Sequence, residues 1–223
     1  PKGAASQLLN PDFAFNCAES SLRAQREGLM LRRGHRLPRR SESEIEQLRA
    51  AGRLAAQTLE YIEPHVQPGV STYELDRLCF EYITDHGAYP SPLNYPGPPL
   101  DLSKPLRFSK GGFPGSICTS LNEVVCHGIP SRDQVLKEGD IINVDVTVTL
   151  DGWFGDTSKT FVMPGASDAV HALVQRTQEC LYLGIRAISD PSAYRRLNQI
   201  GAAIHDHADR FGYGVVRNFV GHG

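Results

Sequence analysis

The dipeptide Asp151-Gly152 constrains this chain more than any other feature. It follows Ile141–Leu150, a run dominated by Ile, Val and Thr, and precedes a second polar-apolar run through Phe161. Asp and Gly tolerate positive φ, so the pair predicts a two-residue β-hairpin turn. Leu150 then pairs with Trp153, and Asp145 falls opposite Ser158. Asp156 lies two residues from Ser158 and so shares the face of Asp145. The two carboxylates become diagonal neighbours, with Cβ atoms about 7–8 Å apart or somewhat less.

Asp is depleted in strands, and like charges on one face destabilise them. A bound cation relieves both conditions, and paired carboxylates select hard or borderline divalent metals. The bland alternative is a solvated polar face. On it, Asn143, Asp145, Thr147 and Thr149 alternate with Val144, Val146, Val148 and Leu150.

The chain has 223 residues, 40% of them hydrophobic, and a net charge of −2. That is enough apolar material for a real core. The near-neutral balance argues against nucleic-acid binding by the domain as a whole. No apolar run reaches membrane-span length, so no membrane partner is expected. The five cysteines (17, 79, 118, 126 and 180) include no CxxC pair. This favours reduced thiols and a cytoplasmic setting.

Two regions are expected. Residues 1–42 form an Arg-rich extension, with seven arginines between Leu22 and Arg40 against one acid, Glu27. It reads as a flexible tail, a contact for RNA or the ribosome, or the remnant of an organelle-targeting segment. Residues 43–223 form the main domain. A first helix is expected from Ser43, capped by Ser43 and Glu46 and ended by Pro64. A second starts at Ser71 and closes at Gly87. Six prolines between 90 and 105 then exclude regular structure. Strand composition returns over Ser116–Cys126. A third helix begins near Ser167, with Val170, Leu173, Val174, Cys180, Leu181, Ile185 and Ile188 as its buried stripe. A fourth ends at Gly212, and a strand is expected over Val215–Val220. The order is helix, helix, strands, then helix, helix, strand. It implies an α+β fold of two similar halves, the second incomplete.

Two histidines stand out. His127 lies between Cys126 and Gly128, and His222 is flanked by glycines. Imidazole serves as a metal ligand or a proton carrier near neutral pH. At this point several motifs together resemble the type I methionine aminopeptidases. They are Asn122-Glu-Val-Val-Cys-His127-Gly-Ile-Pro130, Gly139-Asp-Ile-Ile-Asn-Val-Asp145, Gly155-Asp-Thr-Ser-Lys-Thr-Phe161, Val220-Gly-His222-Gly and Ala88-Tyr-Pro-Ser-Pro-Leu93. The resemblance runs from about residue 43 to the end. It implies the pita-bread fold of creatinase and the aminopeptidases, with pseudo-twofold halves around two divalent metals (Co, Mn, Fe or Zn). It implies Asp145, Asp156 and His222 as ligands. It gives His127 a catalytic role beside the scissile amide, and Tyr95, Phe113, Cys118 and His127 as the substrate wall.

The chain departs from the family pattern in three ways. Two further glutamate ligands would lie beyond His222, so the chain reads as truncated and inactive as it stands. Pro96–Lys110 intervenes where the family passes almost directly from Tyr to Gly-Phe-Pro. Asp190–Arg196 replaces a short turn. The expected function is removal of the initiator methionine from nascent chains with a small second residue, near the ribosome. The alternatives are an inactive binding protein of the same fold and a peptidase acting at proline bonds.

Overall fold

The computed structural model describes residues 39–189 and 196–219. The chain divides into two units, one of Arg40–His207 and one of residues 1–39 with Ala208–Gly223.

In the larger unit, helix α1 spans Glu42–Ile62. Its N-cap is Ser41, not Ser43. The Ser41 hydroxyl accepts from Glu44 N, and the Glu44 carboxylate accepts from Ser41 N at 2.7 Å. Both Ser41/Glu44 and Ser43/Glu46 have capping-box spacing, so spacing alone does not choose between them. A 3-10 turn, Glu63–His65, ends the helix at Pro64. Helix α2, Thr72–Asp85, is capped by Ser71. Its Glu74 turns instead to Arg77, at 2.7 Å.

Four antiparallel strands follow. They are β1 (Tyr89–Pro90), β2 (Cys118–Leu121), β3 (Ile141–Leu150) and β4 (Trp153–Val162). Strand β3 is the centre. Strand β4 pairs with it along its full length, while β1 and β2 pair with different stretches of it. The two-residue strand β1 corrects the expectation that prolines exclude all regular structure. Pro90 is tolerated because it ends a two-residue strand at the edge of the sheet. Residues 96–110 have no helix or strand.

Along β3, Ile142, Val144, Val146 and Val148 are fully buried, alternating with half-buried polar positions. They pack with Leu54, Ala55, Leu59 and Ile62 of α1 and Leu75, Cys79 and Ile83 of α2. Each such aliphatic side chain contributes roughly 1.5–3 kcal/mol. The helices therefore cover one face of the hairpin. Gly155 makes this approach possible: a Cβ there would stand 2.1 Å from the carbonyl oxygen of Ala51.

Helix α3 spans Asp168–Ala187 from its N-cap Ser167, and α4 spans Asn198–Arg210. They meet at Gly184, where a Cβ would lie 3.3 Å from Ile200 and Ile204. The Cys180 thiol donates to Ile204 O at 3.6 Å. The expected buried stripe of α3 needs correction. Cys180 is buried, but Leu173, Leu181, Ile185 and Ile188 are exposed. The apolar period is real, but α4 covers the helix chiefly around Gly184 and Cys180 and leaves these positions exposed among the described residues.

In the second unit, α4 finishes and Gly212 turns the chain at φ 75°. Residues 215–219 form no strand, against expectation. Apolar, β-prone composition needs a partner ladder to become a strand, and none is present among the described residues. Residues 1–38, 190–195 and 220–223 lie outside the described set.

Candidate metal centre and substrate wall

The hairpin turn has Asp151 at φ 50° and Gly152 at φ 82°, both left-handed, as a type I′ turn requires. That fixes the register. Leu150 pairs with Trp153, Thr147 with Asp156 and Asp145 with Ser158. Paired residues share a face, so Asp145 and Asp156 project to the same side, away from the helices. Asp145 is half-buried and Asp156 exposed. On the same face Asn143 Nδ2 donates to Thr160 Oγ1 at 3.1 Å.

Strand β2 brings a third side chain to this face. Cys118 is the pairing partner of Asp145, and it is buried. Strand β2 has four residues and is fixed at both ends. At its N-terminal end, Asp76 of α2 accepts from Ser116 N at 2.7 Å, Ser116 Oγ at 2.6 Å and Ile117 N at 3.1 Å. Burial pushes the Asp76 carboxyl above its ordinary range even though these donors pull it down. At its C-terminal end Asn122, left-handed at φ 50°, accepts from Ile141 N and donates to Asp140.

The chain then folds back along the other edge of β2. Thr119 N donates to Gly128 O at 2.8 Å, and Gly128 N donates to Ser120 Oγ at 3.2 Å. A Cβ at Gly128 would stand 2.0 Å from Thr119 O. This contact requires glycine and fixes the preceding residue, His127, which adopts φ 54°. The imidazole is solvent-accessible yet partly enclosed, and that desolvation lowers its pKa.

Tyr95 and Phe113 are joined through the backbone. Phe113 N donates to Tyr95 O at 2.9 Å, and Asn94 N to Phe113 O at 2.8 Å. The long insertion therefore leaves and returns at one neck. Asn94 closes it: its side chain accepts from Ser109 N at 2.6 Å and donates to Pro98 O at 2.7 Å. Phe113 is buried and Tyr95 half exposed. The loop begins at Ser91, whose N–H donates to Thr147 O and whose hydroxyl meets Thr149 Oγ1 at 2.8 Å. Thr147 and Thr149 lie on the face of Asp145.

The structure thus gathers Asp145, Asp156 and Cys118 on one face and ties His127 to β2. His222 lies outside the described residues. Among the described residues no group of three His, Cys, Asp or Glu is gathered for a metal. Two carboxylates on one rigid hairpin suit part of a divalent-metal coordination sphere. The sequence reading missed Asp76, Asn94 and Asn122. The signal for Asp76 was its place at the edge of the apolar stripe of α2. The signal for the asparagines was their tolerance of left-handed backbone.

The family model for metallopeptidase family M24 matches residues 46–223. The chain belongs to metallopeptidase family M24. It is 48% identical over 183 residues to methionine aminopeptidase A of Synechocystis, covering 82% of this chain and 65% of that protein. It is 45% identical to the methionine aminopeptidase of Rickettsia prowazekii, covering 82% of this chain and 63% of that one. The chain thus spans a little under two thirds of the length of these curated relatives. The crystal structure of methionine aminopeptidase from Rickettsia prowazekii superposes with a TM-score of 0.73 at 44% identity, covering 84% of this chain and 68% of that one. The M24 chain described here accordingly has the pita-bread fold. Among its described residues no helix is long and apolar enough to cross a membrane.

Proposed function

We propose that this M24 chain carries the catalytic domain, residues 43–223, of a methionyl aminopeptidase that removes the initiator methionine before a small second residue. The observation that carries the reading is the shared face of Asp145 and Asp156, set by the hairpin register. Both curated relatives compared above are methionine aminopeptidases.

In this reading Asp145, Asp156 and His222 would contribute ligands to a pair of divalent metals, Co, Mn, Fe or Zn. Such metals supply a nucleophilic water at neutral pH and polarise the scissile carbonyl. The chain's own residues position the substrate. Tyr95, Phe113 and Cys118 enclose the methionine side chain. His127, whose pKa partial burial lowers, offers an N–H to the scissile amide. The substrates are N-termini of nascent chains, met at the ribosome in the cytoplasm. Residues 1–42 form an extension outside the catalytic domain.

The test is release of methionine from Met-Ala-Ser by the full natural protein with Mn or Co. Turnover is expected, and Asp145→Asn abolishes it. Peptide binding without turnover under either metal would favour a non-enzymatic member of the fold.

A further inference from the structure

Strand β2 is too short to fix its own position. It has four residues and four pairs with β3, and a one-residue slip would turn Cys118 away from the face of Asp145. The bonds of Asn122 to Ile141 and Asp140 and the Thr119–Gly128 pair resist such a slip at the C-terminal end and along the free edge. At the N-terminal end the restraint comes from outside the sheet.

Asp76 supplies it at the N-terminal end. One oxygen, Oδ1, accepts all three donors, Ser116 N, Ser116 Oγ and Ile117 N. The Ser116 hydroxyl also lies 3.0 Å from Asp76 O. The segment so held is deeply buried: Ser116 is 1% and Ile117 0% exposed. Its backbone N–H groups have no route to water, so the carboxylate is their partner or they have none. Cys79, one turn along α2, is fully buried in the core, so the helix that carries Asp76 cannot drift.

We propose that Asp76 is a positioning residue for the substrate wall: through Ser116 and Ile117 it sets the register of β2 and holds Cys118 against Asp145. This rests on the aminopeptidase reading for its kinetic consequence, but not for its structural one. Asp76 touches neither substrate nor metal in this scheme. It acts on where the methionine side chain is received, so its loss affects binding of the methionyl group more than the chemical step.

The experiment uses the full natural protein with Mn and compares Asp76→Ala, Asp76→Asn and Ile83→Ala. Asn keeps an Oδ1 acceptor, whereas Ala removes it. Ile83→Ala opens a cavity in the same helix and serves as the destabilised control. Two readouts are taken well below the unfolding temperature. They are KM and kcat on Met-Ala-Ser, and the alkylation rate of Cys118 followed by mass spectrometry of its peptide.

Asp76→Ala removes all three bonds and should raise KM roughly tenfold, with kcat nearly unchanged. It should also expose Cys118 to alkylation, while Asp76→Asn restores most of both. Ile83→Ala should lower the unfolding midpoint without moving KM or Cys118. Equal changes in Asp76→Ala and Ile83→Ala would reduce Asp76 to a stabilising residue and overturn the proposal. If no variant, wild type included, releases methionine, the aminopeptidase reading fails. The alkylation rates then still decide the role of Asp76, and an unchanged rate in Asp76→Ala overturns it.

Discussion

Asp145 and Asp156 are not cross-strand partners. Asp145 pairs with Ser158 and Asp156 with Thr147, which sets the carboxylates diagonally on one face. A hydroxyl therefore stands opposite each acid. The diagonal spacing leaves room for a cation between two carboxylates, where directly opposed acids would only repel. The arrangement depends on the Asp151-Gly152 turn and on whatever holds the hairpin against the helices.

Gly155 holds it. The nearest atom to a Cβ at this position is backbone, Ala51 O, and backbone cannot swing aside. Gly155→Ala should force α1 off the hairpin and lower stability by about 1–3 kcal/mol. Gly52, the next residue along α1, has open space at its Cβ. Gly52→Ala should stabilise by about 1 kcal/mol through helix propensity. Urea unfolding of the two variants should give midpoints that move in opposite directions. Equal midpoints would show that the close approach carries no energy.

Asn94 should be the clasp of the insertion. It is fully buried and left-handed at φ 68°. Asn94→Gly keeps that backbone and removes only the side-chain bonds to Ser109 and Pro98. Amide exchange should then quicken across residues 97–109 and leave β3 unchanged. Asn94→Ala adds backbone strain and should cost about 1–3 kcal/mol more. Unchanged exchange in Asn94→Gly would mean that the loop holds its shape by other contacts.

The helix pair α3–α4 carries a separate pH dependence. Glu179 is held at about 2, below its ordinary 4.5, by hydrogen bonds from Arg176 and then His207. Arg176 Nη1 lies 2.7 and 2.8 Å from its two oxygens, and His207 Nε2 lies 2.7 Å away. A depressed carboxylate contributes stability that is full above its unfolded pKa and is lost as pH falls through the folded one. Thermal midpoints should therefore drop between pH 4.5 and about 2. Glu179→Gln should flatten that part of the profile. An identical acid limb in both proteins would assign the dependence elsewhere.

How much of this was legible in the sequence follows the range of the interactions. The hairpin and its register were legible because a two-residue turn and a period of two are local rules. The helix starts at Ser71 and Ser167 were legible for the same reason, although Ser41 and Ser43 offered the same capping motif twice. The α3 stripe was misread because periodicity reports an apolar face and not what covers it. Val215–Phe219 was misread because a strand is defined by its neighbour. Asp76 and Asn94 were missed because their partners lie 40 and 15 residues away in sequence. No spacing rule links such positions.

His127 provides the sharpest division between binding metal and performing chemistry. Its left-handed backbone adjoins Gly128, which packs on Thr119, so the scaffold fixes the main chain that carries the imidazole. Asn is the control substitution, because it tolerates positive φ where Ala is strained. In the full natural protein with Mn, we predict that His127→Asn and His127→Ala both lower kcat by roughly 10²–10³, the cost of one preorganised donor to a developing oxyanion. Bound metal, measured by atomic emission after gel filtration, should stay at the wild-type level in both. Asp145→Asn should show the reverse order, losing metal first and activity as a consequence. A matching loss of metal and kcat in His127→Asn would make His127 a ligand and remove it from the substrate wall. A loss in His127→Ala alone would trace the effect to the backbone and leave the imidazole without a role.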